Sequence, residues 1–198
     1  MIRKIGIIAQ DAGSIGFLRG LKARLKCKAE LVEPPAPIGC TQFLPRRKAL
    51  LAWEYFRNRG VDLIVRFTDA DGDRWQEVKR KELDVFPPEA QSILVCGVAV
   101  NNVEEWLRLD VTYFAGFVDR SVSDVMNADY GMYKRALGRA MRDCESKSET
   151  VERFVVDAPP QTFKRWLDDA ALRRLYQDAR AAAVRANCDV PNELGEGD

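Results

Sequence analysis

Three aspartates at alternate positions, Asp69, Asp71 and Asp73, follow a β-branched, apolar run over residues 61–68. Asp and Gly end strands, so the acidic group falls where the chain leaves a sheet. In an open α/β sheet that carboxyl edge is where ligands bind. Carboxylates held together there repel one another unless a hard cation or a proton neutralises them. One reading is a Mg²⁺ site. The other is a polar loop whose aspartates cap the helix starting near Asp73. A cap needs one Asp rather than three, which favours the metal.

Gln10 and Asp11 end the first apolar run, and Ala12-Gly13-Ser14 follows. There is no Gly-Lys-Ser/Thr and no GxGxxG, so neither nucleotide-binding loop is present. For Asp11 the sequence alone somewhat favours a helix cap. If the first and third strands are neighbours, they lie about 4.8 Å apart, and Gln10 and Asp11 come within reach of an ion shared with Asp69 and Asp71. Glu104 and Glu105 open the helix after the fourth strand. They are either a further contribution to that site or favourable charge on a helix N-terminus.

The chain contains no histidine. That excludes Ser-His-Asp triads, His general bases and His-ligated zinc, and leaves hydrolysis to carboxylates, lysine or a metal. Cys27, Cys40, Cys96, Cys144 and Cys188 are odd in number and lack CxxC spacing, which argues against a disulfide framework or a zinc site. With 31 basic and 30 acidic residues the formal net charge is +1, so nucleic-acid binding needs a local patch. Arg46-Arg47-Lys48 and Arg74 with Lys79-Arg80-Lys81 are the candidates for phosphate contacts. Solvated helix faces account for such clusters as well. Trp75, beside the acidic loop, is a candidate for base stacking, although aromatic residues more often pack in cores. The N-terminal apolar run is too short for a signal peptide or membrane span, so no membrane association and a cytoplasmic location are expected.

The elements that must position these residues alternate. Strands are predicted over 3–10, 29–33, 61–68 and 92–100, and helices over 13–26, 41–59, 74–83 and from Val103 onward, with Asn101 or Asn102 as a cap. The alternation predicts an α/β fold, a mainly parallel sheet flanked by helices. Residues 111–125 are ambiguous, and helices are predicted over 129–145, 148–155, 160–168 and 170–187. The chain is therefore divided into a core, 1–110, and a helical extension packed on it, 111–198, with a frayed acidic end. The amphipathic helices around Phe163–Leu167 and Leu172–Arg180 carry basic faces for nucleic acid or a larger partner.

The order of these motifs resembles the Toprim domain of topoisomerases, primases and the nucleases of overcoming-lysogenization-defect and related defence systems. Asp69-Ala70-Asp71-Gly72 matches the family's Asp-x-Asp pair, Phe17-Leu18 matches the tail of its first motif, and Glu104-Glu105-Trp106-Leu107 resembles a Glu-x-Trp-Leu helix of small bacterial Toprim-like proteins. The family's first-strand glutamate falls on Gln10. The resemblance implies a Mg²⁺- or Mn²⁺-dependent nuclease of DNA or RNA, the effector of an anti-phage system working with a separate ATPase. Asp69 and Asp71 would be the principal ligands, Asp73, Glu104 or Glu105 would complete the shell, and Asp11 would orient water. Because Gln10 carries no charge, a degenerate Toprim-like binding or regulatory subunit, which could self-associate, is the alternative. A receiver-like phosphoacceptor domain is a third reading, opposed by the missing acidic pair after the first strand.

Overall fold

The computed structural model describes residues 2–35, 44–128, 130–142 and 144–185. Its centre is a four-stranded, all-parallel sheet in the order β2-β1-β3-β4, formed by β1 (Lys4–Ala9), β2 (Glu30–Val32), β3 (Leu63–Asp69) and β4 (Leu94–Ala99). Ala9 pairs with Phe67, and Asp69 with Ala99, so β1, β3 and β4 end at one level.

Both faces of the sheet are covered, which explains the near-continuous apolar character of its strands. Ile5, Ile7, Leu63, Phe67, Val95 and Ala99 face the larger core. There they meet α1 (Ala12–Arg24), α5 (Val103–Arg108), α9 (Lys147–Asp157) and α11 (Ala170–Arg185). Ile8 and Ile64 point the other way, towards Ala49, Ala52 and Phe56 of α2 (Arg46–Asn58). On that same side α3 (Trp75–Asp84) seals Cys96 and Val98 through Val78. The short helix α4 (Pro88–Gln91) leads into β4.

The helices beyond residue 110 share the sheet's own core. The ambiguous stretch forms α6 (Val111–Phe117) and α7 (Val122–Met126), and α8 (Tyr130–Arg139) and α10 (Pro160–Trp166) complete the set. Trp166 is fully buried and stacks on Phe154 with ring centroids 5.6 Å apart. Leu175 of α11 fills the space left by Gly97 on β4, where a Cβ would stand 2.8 Å from the leucine methyls.

α1 crosses α9 at close range. A Cβ at Gly16 would lie 2.1 Å from the Ser148 carbonyl oxygen, and one at Gly20 would lie 2.5 Å from Val155 Cβ. These glycines let the two backbones approach to a distance that no side chain permits.

Several element boundaries differ from the sequence reading, among them the start of α2. The helix predicted from Thr41 begins at Arg46, because Pro45 holds extended backbone (φ −61°, ψ 144°) as its N-cap. Its predicted first residues, together with Cys40, Cys188 and the acidic terminus, lie outside the described residues. Among those described, Cys27 and Cys96 are buried and Cys144 is exposed, and no helix is long and apolar enough to cross a membrane.

Candidate functional site

The strand order reverses at β1: the chain leaves it towards β2 on one side and returns as β3 on the other. In parallel α/β sheets the crevice at such a reversal is the ligand site. Gln10 stands in it. Its Oε1 accepts hydrogen bonds from the Thr68 hydroxyl at 3.1 Å and the Asp69 backbone N–H at 2.9 Å. The amide therefore ties the carboxyl ends of β1 and β3 together without bringing a charge.

Asp11, one residue on, points to the other face of the sheet. It is the N-cap of α1, accepting from the Ser14 N–H at 2.8 Å and the Ser14 hydroxyl at 2.9 Å. Its second carboxylate oxygen takes a contact of 3.1 Å from Lys147 Nζ. The same ammonium lies 3.0 Å from Oε1 of Glu104, on the first turn of α5. Lys147 thus joins two acidic groups from different elements. The Glu104 side chain is only 3% exposed, against 31% for Lys147 and 40% for Asp11, so the ammonium neutralises a carboxylate that water scarcely reaches.

Local sequence builds this contact. Ser146 and Glu149 form a capping box, which fixes Lys147 as the first residue of α9. The absent side chain of Gly13 leaves room for the lysine: a Cβ there would stand 3.0 Å from Nζ. Burial pushes the Asp11 carboxyl up, but the Ser14 N–H and the Lys147 charge outweigh it and hold the group below its ordinary range. Burial works against the Lys147 ammonium, and Glu104 and Asp11 together overcome it and raise its pKa. Both effects keep the two groups charged near neutrality.

The three alternate aspartates do not converge. Asp69 closes β3 and is half-buried, whereas Asp71 and Asp73 are exposed. Asp71 (φ 47°) and Gly72 (φ 91°) both occupy left-handed backbone, and the Asp73 N–H returns to the Ala70 carbonyl at 3.0 Å. This is the geometry that Asp-Gly favours in a tight turn of type I′. Nor do the aspartates cap the next helix: α3 starts from Arg74, with no side-chain cap hydrogen bond. Glu105 accepts from Asn101 Nδ2 at 2.7 Å, while Asn102 caps α5 through the Glu105 N–H at 3.1 Å.

A Mg²⁺ or Mn²⁺ shell needs several oxygen ligands converging on one point. Asp11 and Glu104 do converge, but on Lys147. Among the described residues no group of three or more Asp, Glu or Cys is gathered so as to hold a metal ion. In this arrangement the described side chains do not by themselves build such a shell.

The basic candidates divide. Arg46, Arg47 and Lys81 are exposed and Lys48 is half-buried, on the two helices that cover the α2–α3 side of the sheet. Arg74 is exposed and lies 3.8 Å from Glu77. Lys79 contacts Asp178 of α11 at 2.7 Å, which makes it a tie between helices. Trp75 is half-buried against both the larger core and the Val78 cluster, the placement of a packing residue.

Several charged contacts escape the sequence reading, and two of them bear on the strands of the sheet or their carboxyl edge. Lys147 is one; its only local signal is the Ser-x-x-Glu capping pattern, which locates a helix start but not its distance from the sheet. The other is Arg66 in the middle of β3, paired with Glu82 of α3 at 2.6 Å with side-chain exposures of 0% and 3%. Comparisons with known protein families, with curated proteins and with solved structures gave no match to this chain.

Proposed function

We infer that this chain is a binding or regulatory subunit built on a Toprim-like core whose catalytic machinery has been lost. The observation that carries this reading is Lys147 seated between Asp11 and Glu104, at distances of 3.1 and 3.0 Å. A lysine there supplies, as part of the chain, the positive charge that such carboxylates otherwise take from a cation. Gln10 supports the same reading, because its amide serves as a structural acceptor in the crevice between β1 and β3. Such a subunit would work in a nucleic-acid-directed defence complex, with any ATP-driven step supplied by a separate ATPase. The exposed Arg46, Arg47 and Lys81 would then supply phosphate contacts.

A second reading, Mg²⁺- or Mn²⁺-dependent cleavage of DNA or RNA, draws on one observation: Asp69 ends β3 level with β4 at the sheet's carboxyl edge, where Glu104 and Glu105 begin α5. The experiment that separates the two is Mn²⁺ titration of the wild type by calorimetry, together with cleavage assays on supercoiled DNA, single-stranded DNA and tRNA. The subunit reading expects neither binding nor cleavage. It is overturned by metal-dependent cleavage that an Asp69→Asn, Asp71→Asn double variant abolishes.

A further inference from the structure

Residues of α6, α7, α8 and the turns between them line a half-open cavity of about 530 Å³ that shares no residue with the sheet-edge cluster. Three arginines line it: Arg120, Arg135 and Arg139. All are exposed, and among the described residues none has a carboxylate within ion-pair distance. Arg135 and Arg139 stand one turn apart on α8, so their guanidinium groups repel each other along the helix face. Arg120 comes from a separate element. It follows Asp119, which adopts left-handed backbone (φ 52°), and its N–H returns to the Ala115 carbonyl at 2.9 Å. That bond is the Schellman closure of α6, and it fixes the chain direction at Arg120. Three like charges are thus carried to one concavity by two different local devices, and among the described lining residues Asp124 alone is acidic.

The remainder of the wall is uncharged and firmly held. Phe114 and Tyr133 are buried behind the wall, with rings 5.7 Å apart and edge-to-face. The Tyr133 hydroxyl lies against the Val125 and Ala128 carbonyls and accepts from Arg108 at 2.8 Å, so the ring is braced from both sides. Ser123 and Asn127 add neutral donors and acceptors at the rim.

We propose that this cavity binds a small organic phosphate of nucleoside monophosphate size. Guanidinium groups recognise phosphate oxygens in pairs, through parallel N–H bonds that an ammonium cannot form. The volume falls within the range of about 300–1,000 Å³ typical of small-ligand sites, far larger than inorganic phosphate alone requires. The exposed Asn127 can pair with the edge of a base or with sugar hydroxyls. This goes beyond the subunit reading of the sheet edge and does not depend on it.

The test is calorimetric titration of the full chain with adenosine 5′-monophosphate, ribose 5-phosphate, inorganic phosphate and adenosine. The monophosphate binds most tightly, and adenosine binds far more weakly. Arg135→Ala and Arg139→Ala each weaken the monophosphate about tenfold or more, the loss expected for one charge-assisted contact. Both positions are exposed on α8 and alanine favours helix, so unchanged circular dichroism and melting are expected and separate lost binding from lost folding. Arg135→Lys restores only part of the affinity. Equal affinity for adenosine and its monophosphate overturns the proposal. So does equal affinity for inorganic phosphate, which would leave no role for the rest of the cavity, or an Arg135→Ala, Arg139→Ala double variant that binds like the wild type.

Discussion

Lys147 places its ammonium nitrogen 3.0 Å from Oε1 of the buried Glu104, across 43 positions of the chain. Removing that ammonium leaves Glu104 and Asp11 facing each other in a partly desolvated crevice. Lys147→Met should therefore destabilise the fold by about 1–3 kcal/mol, less than a fully buried pair because the lysine is partly exposed. Added Mn²⁺ should raise the melting temperature of Lys147→Met and leave the wild type unchanged. A variant as stable as the wild type and indifferent to Mn²⁺ would show that the ammonium does not neutralise these carboxylates. Because the Lys147 pKa is raised in the fold, its contribution is complete below the unfolded value of 10.5 and is lost as pH rises through the higher folded value.

Acid should loosen the junction between α8 and α9 through Glu145. The Arg153 guanidinium grips this carboxylate at 2.9 Å through both Nε and Nη2, and it holds the pKa down to about 2 from an ordinary 4.5. A depressed folded pKa stabilises the protein above the unfolded value, and that stability is lost as pH falls from about 4.5 towards 2. Melting temperatures of the wild type should fall across that window. Glu145→Gln should start lower at neutral pH and show a flatter profile over the same range. Parallel profiles would assign the acid sensitivity to other carboxylates.

The sheet was legible in the sequence because its strands are buried on both faces. Runs such as Leu94–Ala99 then read as unbroken apolar segments between breakers, and the parallel adjacency of β1, β3 and β4 follows from the alternation with helices. The candidate site was legible only in part. The Asp-x-Asp-Gly pattern identifies a carboxyl edge, but Asp-Gly is also the sequence of a tight turn, and spacing alone does not separate a ligand from a turn residue. Lys147 was hidden because its function arises from the packing of α9 on α1. That packing rests on Gly16 and Gly20, where a Cβ would run into Ser148 and Val155 of α9.

The same glycines supply a test of sign. In an exposed helix, Gly→Ala stabilises by about 0.4–1 kcal/mol, and Gly116 on α6, with nothing within 4 Å of its missing Cβ, should behave so. Gly16→Ala should do the opposite. Its Cβ would meet the Ser148 backbone carbonyl at 2.1 Å, forcing α1 and α9 apart at a cost of about 1–3 kcal/mol or more. Because Lys147 opens α9, the Gly16 substitution should also weaken its contact with Asp11. Denaturant melts of the two variants give the comparison, and a stabilised Gly16→Ala would refute the close crossing.

The last expectation concerns Arg66 and Glu82, which meet at 2.6 Å beneath α3 with almost no exposure. Arg66 also donates to the Phe67 carbonyl at 2.8 Å, and Glu82 accepts the Leu44 N–H at 3.2 Å, so the pair anchors β3 to α3 and to the entry of α2. A buried ion pair gains Coulomb energy but loses hydration, and its net worth is small; breaking it is costly because one charge is left without its partner. Glu82→Leu and Arg66→Met should each destabilise by about 3–5 kcal/mol, whereas the double variant should recover much of that loss. The recovery should stay incomplete, since the Leu44 N–H is left without its acceptor at a cost of about 1–3 kcal/mol. A double-mutant cycle by urea denaturation measures the coupling directly. Additive single effects would mean that the two side chains stabilise the fold independently, and the pair would then be a neighbourhood of convenience and not an anchor.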